Sequence, residues 1–387
     1  MTLFLELAFW ILFFIPIHSY LLYPLIIRII SKFFGTKRNL AEQNLTISIL
    51  ISAFNEEKVI ENRINNISKL NYDFNKIEVL VGSDCSSDKT NEILTGIENK
   101  YSWLKIYLFG DRRGKVSVLN DLVKNARNEI LVFTDANTVF NENSIKILVS
   151  NFNDKLAGGV SGRLILTDAK NGISGNIEEK SYWEYETLLK KYEGKCGILI
   201  GANGGIFAIR KDLFKEIPME ESITDDLYIS LAVLNQNYKF LYEENAVAYE
   251  ETPTDIIVEF NRKIRFASTN FYTLTYFKNL LFNKNLLLSF AFLSHKIIRW
   301  FTPIILPIIL LINLLLFSYY EHYRILFYIQ IAFYIFSFIG FLLNLINIKL
   351  RIFTFPFYFV MTNVALFIGL IKFLFKKQTP FWQSTPR

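Results

Sequence analysis

Two kinds of segment divide this chain, and each suits a different solvent. Leu3 to Ile30 is almost continuously apolar, interrupted by Glu6, His18 and Arg28. Phe301–Tyr320, Ile325–Ile348 and Ile352–Phe375 have the same character at the other end. Each is long enough for a helix to cross the hydrocarbon of a bilayer. Between them lies a polar stretch in which short apolar runs alternate with helical periodicities. Hydrophobic residues make up 51% and charged residues 20%, with 37 phenylalanines, which is too apolar for an ordinary soluble protein. The fold must therefore join a water-exposed α/β unit to membrane helices.

The spacing predicts an N-terminal transmembrane anchor over 1–38, an α/β domain over 39–280, and a membrane block over 301–387. Residues 281–300 are predicted as an interfacial amphipathic helix, because Leu286–Trp300 is too short to span and carries Lys296 and Arg299 on one side. A cleaved signal peptide is the alternative for the first segment. No basic run precedes it and no small-x-small site follows, which favours the anchor. Arg28, Lys32, Lys37 and Arg38 after the first span predict a cytoplasmic middle domain in a multi-pass plasma-membrane protein. Lys296 and Arg299, and later Lys349 and Arg351, fit that side. Lys376, Lys377 and Arg387 oppose it, because the four-span count places them outside.

The formal net charge of +6 is scattered rather than gathered in stripes, which excludes nucleic acid as the partner and favours anionic lipid heads and phosphates. Cys85 and Cys196 form no disulfide or zinc pattern. The histidines are His18, His295 and His322. None lies in the middle stretch, so histidine-rich metal sites and histidine-activated nucleophiles are excluded there.

Ile47–Ile51, Ile77–Gly82, Leu104–Leu108 and Glu129–Thr134 read as strands. Glu56–Leu70, Asp88–Ile97 and Lys115–Ala126 read as the helices between them, the second capped by Ser87 or Asp88. This alternation predicts a Rossmann-like, mostly parallel sheet. Ligands of such sheets bind beyond the carboxyl ends of the strands. Asn55, Asp84 and Asp135 each follow a strand end, so they are expected to converge.

The motifs in order resemble family 2 glycosyltransferases of the GT-A fold, among them membrane-integrated synthases of poly-N-acetylglucosamine, hyaluronan and chitooligosaccharide type. Ser48-Ile49-Leu50-Ile51-Ser52-Ala53-Phe54-Asn55-Glu56-Glu57 resembles the opening strand and loop. Ser83-Asp84-Cys85-Ser86-Ser87-Asp88 is similar to the nucleotide-binding loop, and Arg112-Arg113-Gly114-Lys115 to the Gly-Lys segment. Asp135-Ala136-Asn137-Thr138 stands where the family has Asp-x-Asp. Thr224-Asp225-Asp226 stands for Thr-Glu-Asp, and Arg262-Lys263-Ile264-Arg265-Phe266 for Gln-x-x-Arg-Trp.

The resemblance implies an inverting hexosyltransferase acting on a nucleotide-sugar, with Ala53, Asn55, Glu56, Asp84, Lys115 and Asp135 at the donor. Asp84 would meet the nucleobase. A carboxylate accepts the imide N–H of uracil, which favours a UDP-sugar carrying a hexose or N-acetylhexosamine. A lysine at a helix start after glycine suits an anion, although a solvated first-turn lysine looks the same. Mg²⁺ or Mn²⁺ is expected at Asp135 and Asn137, where Asn137 contributes no negative charge in place of the second Asp. Asp226 would be the general base with Asp225 in support, or Asp225 the base itself. The alternative is that Thr224 or Asp225 only caps the following helix.

Arg262 and Arg265 would neutralise the leaving diphosphate, or else touch lipid phosphates. Gly204, Gly205 and Trp183 are expected on the acceptor side. The acceptor is a growing β-linked glycan or a polyprenyl phosphate or other lipid. Phe266 and Arg262 depart from the pattern of processive members, so processive and single transfer both stay open. A non-catalytic transport or scaffold protein is a further alternative, which the intact carboxylates and the arginine pair oppose.

Overall fold

The computed structural model describes residues 2–35, 45–168, 177–252, 256–346, 348 and 350–377. Lys37, Arg38, Lys349 and Arg387 lie outside the described residues.

The strands are β1 (Ile47–Ala53), β2 (Ile77–Asp84), β3 (Leu104–Phe109), β4 (Ile130–Asp135), β5 (Val139–Phe140), β6 (Ala157–Asp168), β7 (Phe207–Arg210) and β8 (Lys239–Thr252). They form one sheet in the order β3-β2-β1-β4-β7-β6-β8-β5. The first half is parallel, as the βα alternation predicts. The second half is mixed, because β7 runs antiparallel to both β4 and β6 while β8 runs parallel to β6. The parallel pairings, β1 with β2, β2 with β3, β1 with β4 and β6 with β8, still outnumber the antiparallel ones among the described residues.

The apolar runs are continuous because the sheet is buried on both faces. Ile47, Ile49, Ile51, Val79, Val81, Ile130 and Val132 pack into one core. Leu50, Leu80, Leu131 and Phe133 pack into the other, which extends without a break into the membrane helices through Tyr23, Ile27, Phe271, Trp300 and Leu370. The α/β domain and the membrane block share this core.

The helices of the first half are α1 (Thr2–Phe33), α2 (Ile60–Ile67), α3 (Thr90–Glu98), α4 (Lys115–Asn125) and α5 (Ser144–Ser150). After them come α6 (Ile177–Lys195), α7 (Asp225–Asn235), α8 (Ile256–Phe277), α9 (Leu286–Leu316), α10 (Glu321–Leu345) and α11 (Arg351–Leu374). α2 starts later than Glu56 because Asn55 sits at φ 55°, and the Glu56 N–H donates to Thr90 Oγ1 at 2.8 Å. The chain is held in a turn there, not a helix.

Four helices are long and apolar enough to cross a membrane: α1, α9, α10 and α11. The interfacial helix expected over 281–300 is not a separate element. Leu286–Leu316 is one helix of 31 residues. Its polar side chains face protein, not lipid heads: His295 and Arg299 are buried.

α1 and α9 each contain a π-helical turn, His18–Leu22 and Phe292–Ile297. The two turns meet. His18 Nε2 lies 2.9 Å from Ser294 Oγ, and Ser19 Oγ donates to the Ser294 carbonyl at 2.5 Å. A widened turn loosens the helical ladder, and here the side chain of the facing helix satisfies the carbonyl.

Candidate active site

The register of the sheet brings the strand-end motifs to one edge. Ala53 pairs with Ser83, and Ser52 with Asp135. Beyond that edge the β1 and β2 loops bind each other. Asn55 Oδ1 accepts from the Ser87 N–H at 2.8 Å, and the Asn55 N–H donates to Ser86 Oγ at 3.1 Å. Asp88 accepts from the Glu57 and Thr90 N–H groups, so it ties the loop as well as starting α3.

Asp84 is buried, and its carboxylate accepts the backbone N–H groups of Arg113 at 2.7 Å and Gly114 at 2.8 Å. Gly114 has φ +86°, a conformation that side chains disfavour. That turn aims its N–H at Asp84 and starts α4 at Lys115. Two of the lone-pair positions of Asp84 therefore hold the 112–115 loop.

Lys115 lies at the centre. Its ammonium bridges Asp135 Oδ1 at 2.8 Å and Asp225 Oδ2 at 3.0 Å. Burial alone would lower its pKa, but the two carboxylates raise it, so it stays cationic. Asp225 and Asp226 open α7. Thr224 stands at the cap position but gives no side-chain cap; its hydroxyl pairs with Thr269 of α8. The capping role expected of Thr224 is therefore not taken, because α8 claims the hydroxyl first.

Asp226 is pushed up to about 6 by burial and by the charge of Asp225, against the lowering charges of Lys190 and Lys115. It points where Asp135 points. A Cβ built on Gly204 would lie 3.5 Å from Asp226 Oδ2 and 3.7 Å from Asp135 Oδ2. Gly205 is pressed between Leu164 and Thr138, and its carbonyl accepts from Thr134 Oγ1 at 2.7 Å.

On α8, burial and the charge of Arg262 lower the Arg265 pKa to about 10, while Asp225 and Asp135 raise it. Arg265 thus faces the carboxylate cluster. Asn137 turns its amide N–H to Glu250 Oε1 at 3.1 Å, which leaves its carbonyl oxygen uncommitted by that bond. Trp183 donates to the Leu164 carbonyl at 2.9 Å.

Among the described residues no three His, Cys, Asp or Glu side chains are grouped as a metal cage. Asp135 with the Asn137 carbonyl is a sparse oxygen set. It fits a Mg²⁺-class ion that takes most of its ligands from water and substrate phosphates.

Sequence reasoning missed two cations. Arg63 is 1% exposed, donates to Thr134 Oγ1 at 2.9 Å, and stacks on Phe140 behind Asp135. Burial lowers its pKa to about 9, and the charge of Asp135 opposes that shift. Its signal was an arginine on the face of α2 shared by Ile60, Ile64 and Ile67. Lys190 donates to Asn203 Oδ1 at 2.5 Å and to the Ala202 carbonyl at 3.3 Å. Nothing local marks it, since its partners lie on the glycine-rich loop.

From Asp226 a cavity of about 830 Å³ runs on between α1, α6, α8, α9 and α11. One wall is an ionic network. His295 Nδ1 lies 2.6 Å from Glu193 Oε1 and its Nε2 lies 3.1 Å from Glu186 Oε2. Arg299 binds Glu186 and donates to Tyr185 Oη at 2.8 Å. Tyr23 donates to Glu193 Oε1 at 2.6 Å. Burial alone would raise the Glu186 pKa, but the charges of His295, Arg299 and Lys296 hold it well below the usual carboxylate range.

Residues 48–217 match the glycosyl transferase family 2 model. A poly-beta-1,6-N-acetyl-D-glucosamine synthase of Staphylococcus aureus (strain COL) is 25% identical over 224 residues, 57% of this chain and 53% of that protein. A probable glycosyltransferase of Bacillus subtilis (strain 168), YdaM, is 27% identical over 241 residues, 60% of this chain and 56% of that protein. The chain spans about half the length of these curated relatives. A mannosyltransferase from Pyrobaculum calidifontis, solved in complex with GDP-Man and Mn2+, has the same fold. It aligns with a TM-score of 0.72 at 18% identity and covers 97% of this chain and 100% of that one.

Proposed function

We propose, from the premise that residues 48–217 are a glycosyl transferase family 2 domain, that this chain is a membrane-integrated inverting glycosyltransferase. It takes a hexose or N-acetylhexosamine from a nucleoside diphosphate, with UDP the first candidate, and extends a β-linked glycan at the cytoplasmic face of the membrane. The observation that carries this reading is the convergence of Asp226 and Asp135 over Gly204, with Asp226 also on the lining of the cavity. The staphylococcal relative, a poly-beta-1,6-N-acetyl-D-glucosamine synthase, supports a β-linked glycan product.

The reaction is a single displacement. Asp226 accepts the proton of the acceptor hydroxyl, and its pKa of about 6 leaves it mostly ionised at neutral pH yet basic enough to take that proton. The hydroxyl oxygen forms a bond to the anomeric carbon. The bond from that carbon to the diphosphate oxygen breaks, and the nucleoside diphosphate leaves with the electron pair. Attack from the opposite face inverts an α-linked donor to a β-linked product. Lys115, Arg262 and Arg265 stabilise the charge on the leaving diphosphate. Asp84 keeps the 112–115 loop closed beneath the donor. Mg²⁺ or Mn²⁺ would be held by Asp135 and Asn137 and would add positive charge at the diphosphate; the archaeal neighbour of the same fold was solved in complex with GDP-Man and Mn2+.

The test is incubation of the purified protein with a panel of nucleotide-sugars, reading nucleotide release and product mass. Release from one donor, with a product heavier by one or more sugars, is expected. No release from any donor in Mg²⁺ or Mn²⁺ would overturn the reading. Solvent partition and size analysis of the radiolabelled product then separate a polymer from a single-sugar lipid.

A further inference from the structure

Arg63 is a buried cation that the displacement does not use. It lies on the face of α2 that Ile60, Ile64 and Ile67 pack into the core. Both of its hydrogen-bond acceptors are neutral: Asn66 Oδ1 lies 2.8 Å from Nη1, and Thr134 Oγ1 lies 2.9 Å from Nη2. Its Nε has no hydrogen-bond partner among the described residues. Taking a guanidinium out of water is costly, and apolar side chains of similar volume often serve stability as well or better. Stability is therefore a poor reason for an arginine here, and the direction of its donors needs another.

Those donors reach the two ends of one turn. β4 ends at Asp135, β5 begins at Val139, and Asn137 lies between them. At the near end, Thr134 Oγ1 accepts from Arg63 and donates to the Gly205 carbonyl at 2.7 Å. At the far end, Asn66 brackets Phe140. Its Oδ1 accepts the Phe140 N–H at 2.8 Å, and its Nδ2 donates to the Phe140 carbonyl at 2.9 Å. The same Oδ1 is the atom held by Arg63 Nη1. The guanidinium carbon also lies 4.0 Å from the centre of the Phe140 ring. One planar group, with its donors in a fixed fork, thus ties Thr134 to Phe140 across the turn. Through Thr134 it also ties the turn to Gly205, next to the glycine over which Asp226 and Asp135 converge.

We propose that Arg63 is a positioning residue for the transfer: its guanidinium fixes both ends of the 135–139 turn, so that Asp135 and Asn137 are presented together to the divalent ion and the diphosphate. This rests on the glycosyltransferase reading above and adds a residue to the same site. Arg63 acts through Thr134 and Asn66 and not on the substrate. With so few protein oxygens for the ion, affinity depends on their being held in place before it arrives. Glu250 steadies the Asn137 amide from the other side. Positive charge alone does not do this. A lysine at position 63 keeps a cation, but its single ammonium meets Thr134 or Asn66, not both.

The experiment uses the full chain in lipid nanodiscs. Mn²⁺ is titrated in the presence of the nucleoside diphosphate that the donor panel releases, and the free ion is read by its electron paramagnetic resonance signal. Arg63→Met and Arg63→Lys should each raise the Mn²⁺ dissociation constant by about tenfold or more, the usual effect of losing a partner that orients a metal ligand. Thermal unfolding is recorded for each variant. A folded Arg63→Met protein that binds Mn²⁺ as tightly as the unaltered protein would overturn the proposal, since the arginine would then be structural only. Full retention of affinity in Arg63→Lys would also overturn it, because charge without the two-ended clamp would suffice. Asn66→Ala keeps Arg63 on Thr134 and releases only the Phe140 end. It should weaken Mn²⁺ binding by a smaller factor, and it decides the matter where the Arg63 variants fail to fold: unchanged affinity there sinks the clamp. So does an unaltered protein that releases nucleotide without binding Mn²⁺. Absence of nucleotide release would instead count against the glycosyltransferase reading itself.

Discussion

Gly369 of α11 packs against Ala267 of α8 so closely that a Cβ on the glycine would overlap the alanine Cβ and lie 2.8 Å from the Ile264 carbonyl oxygen. Ile264 and Ala267 flank Arg265. A membrane helix therefore sets the position of the helix that carries the arginine pair. Close crossings of this kind require small residues, since backbone and side chain compete for the same space.

Gly369→Val should push α8 away and displace Arg262 and Arg265. The expected loss of kcat is up to about a hundredfold, because misplacement by about 1 Å is enough for that. Transfer rate and thermal unfolding are measured together. An unchanged kcat in a folded variant would show that α8 tolerates the shift.

Asp226 must be ionised to accept a proton, so activity should fall as pH drops through about 6. Asp226→Asn removes the base and should abolish transfer while nucleotide-sugar binding persists. Lys190 is one of the cations that lower the Asp226 pKa. Lys190→Gln should therefore raise it and move the acid limb of kcat/KM to higher pH. Lys190 itself is lowered to about 8, first by burial and then by the charge of Lys296, so its influence fades in alkaline solution. An acid limb that stays put or moves down would refute the pairing.

Asp135 gives one carboxylate to the proposed ion, and Asn137 gives an uncharged oxygen. Asp135→Ala should remove activity together with its dependence on Mn²⁺. Asn137→Asp adds a negative ligand and should lower the Mn²⁺ concentration needed for half-activity. Titration of Mn²⁺ against nucleotide release checks both. An unaltered metal response in Asp135→Ala would exclude this residue as a ligand.

Arg299→Met removes one of the cationic partners of a buried carboxylate, Glu186, which otherwise keeps His295 and Lys296. Breaking a buried pair from one side costs about 3–5 kcal/mol. Reduced thermal stability in detergent is expected. Adding Glu186→Gln should recover part of it, because the uncompensated charge is then gone. A loss no smaller in the double variant would show that packing around Arg299, not charge, holds the domain to α1 and α9.

The parallel half of the sheet was legible in the sequence because its determinants are local. Runs such as Ile47–Ile51 are apolar but for Ser48 and are buried on every residue, as a strand is only when both faces are covered. The residue after such a run must then lie at the sheet edge, which is why Ala53 and Asp135 come together in register with β2 and β1. The four membrane-length helices follow as directly, from length and composition. Asn55 delayed α2 through a positive φ that no periodicity reveals.

The rest was decided by contacts between residues far apart in the chain. Leu286–Trp300 has the pattern of an interfacial helix when read alone. It becomes part of a 31-residue helix because Glu186 and Glu193 of α6 take its polar side chains inward. Lys190 gains its place near Asp226 only through the fold of the 201–205 loop, and Gly369 reaches α8 only when the bundle closes. The reason is that burial and charge pairing are properties of the assembled neighbourhood. A side chain's own sequence context states its chemistry but not which distant groups will share its low-dielectric surroundings.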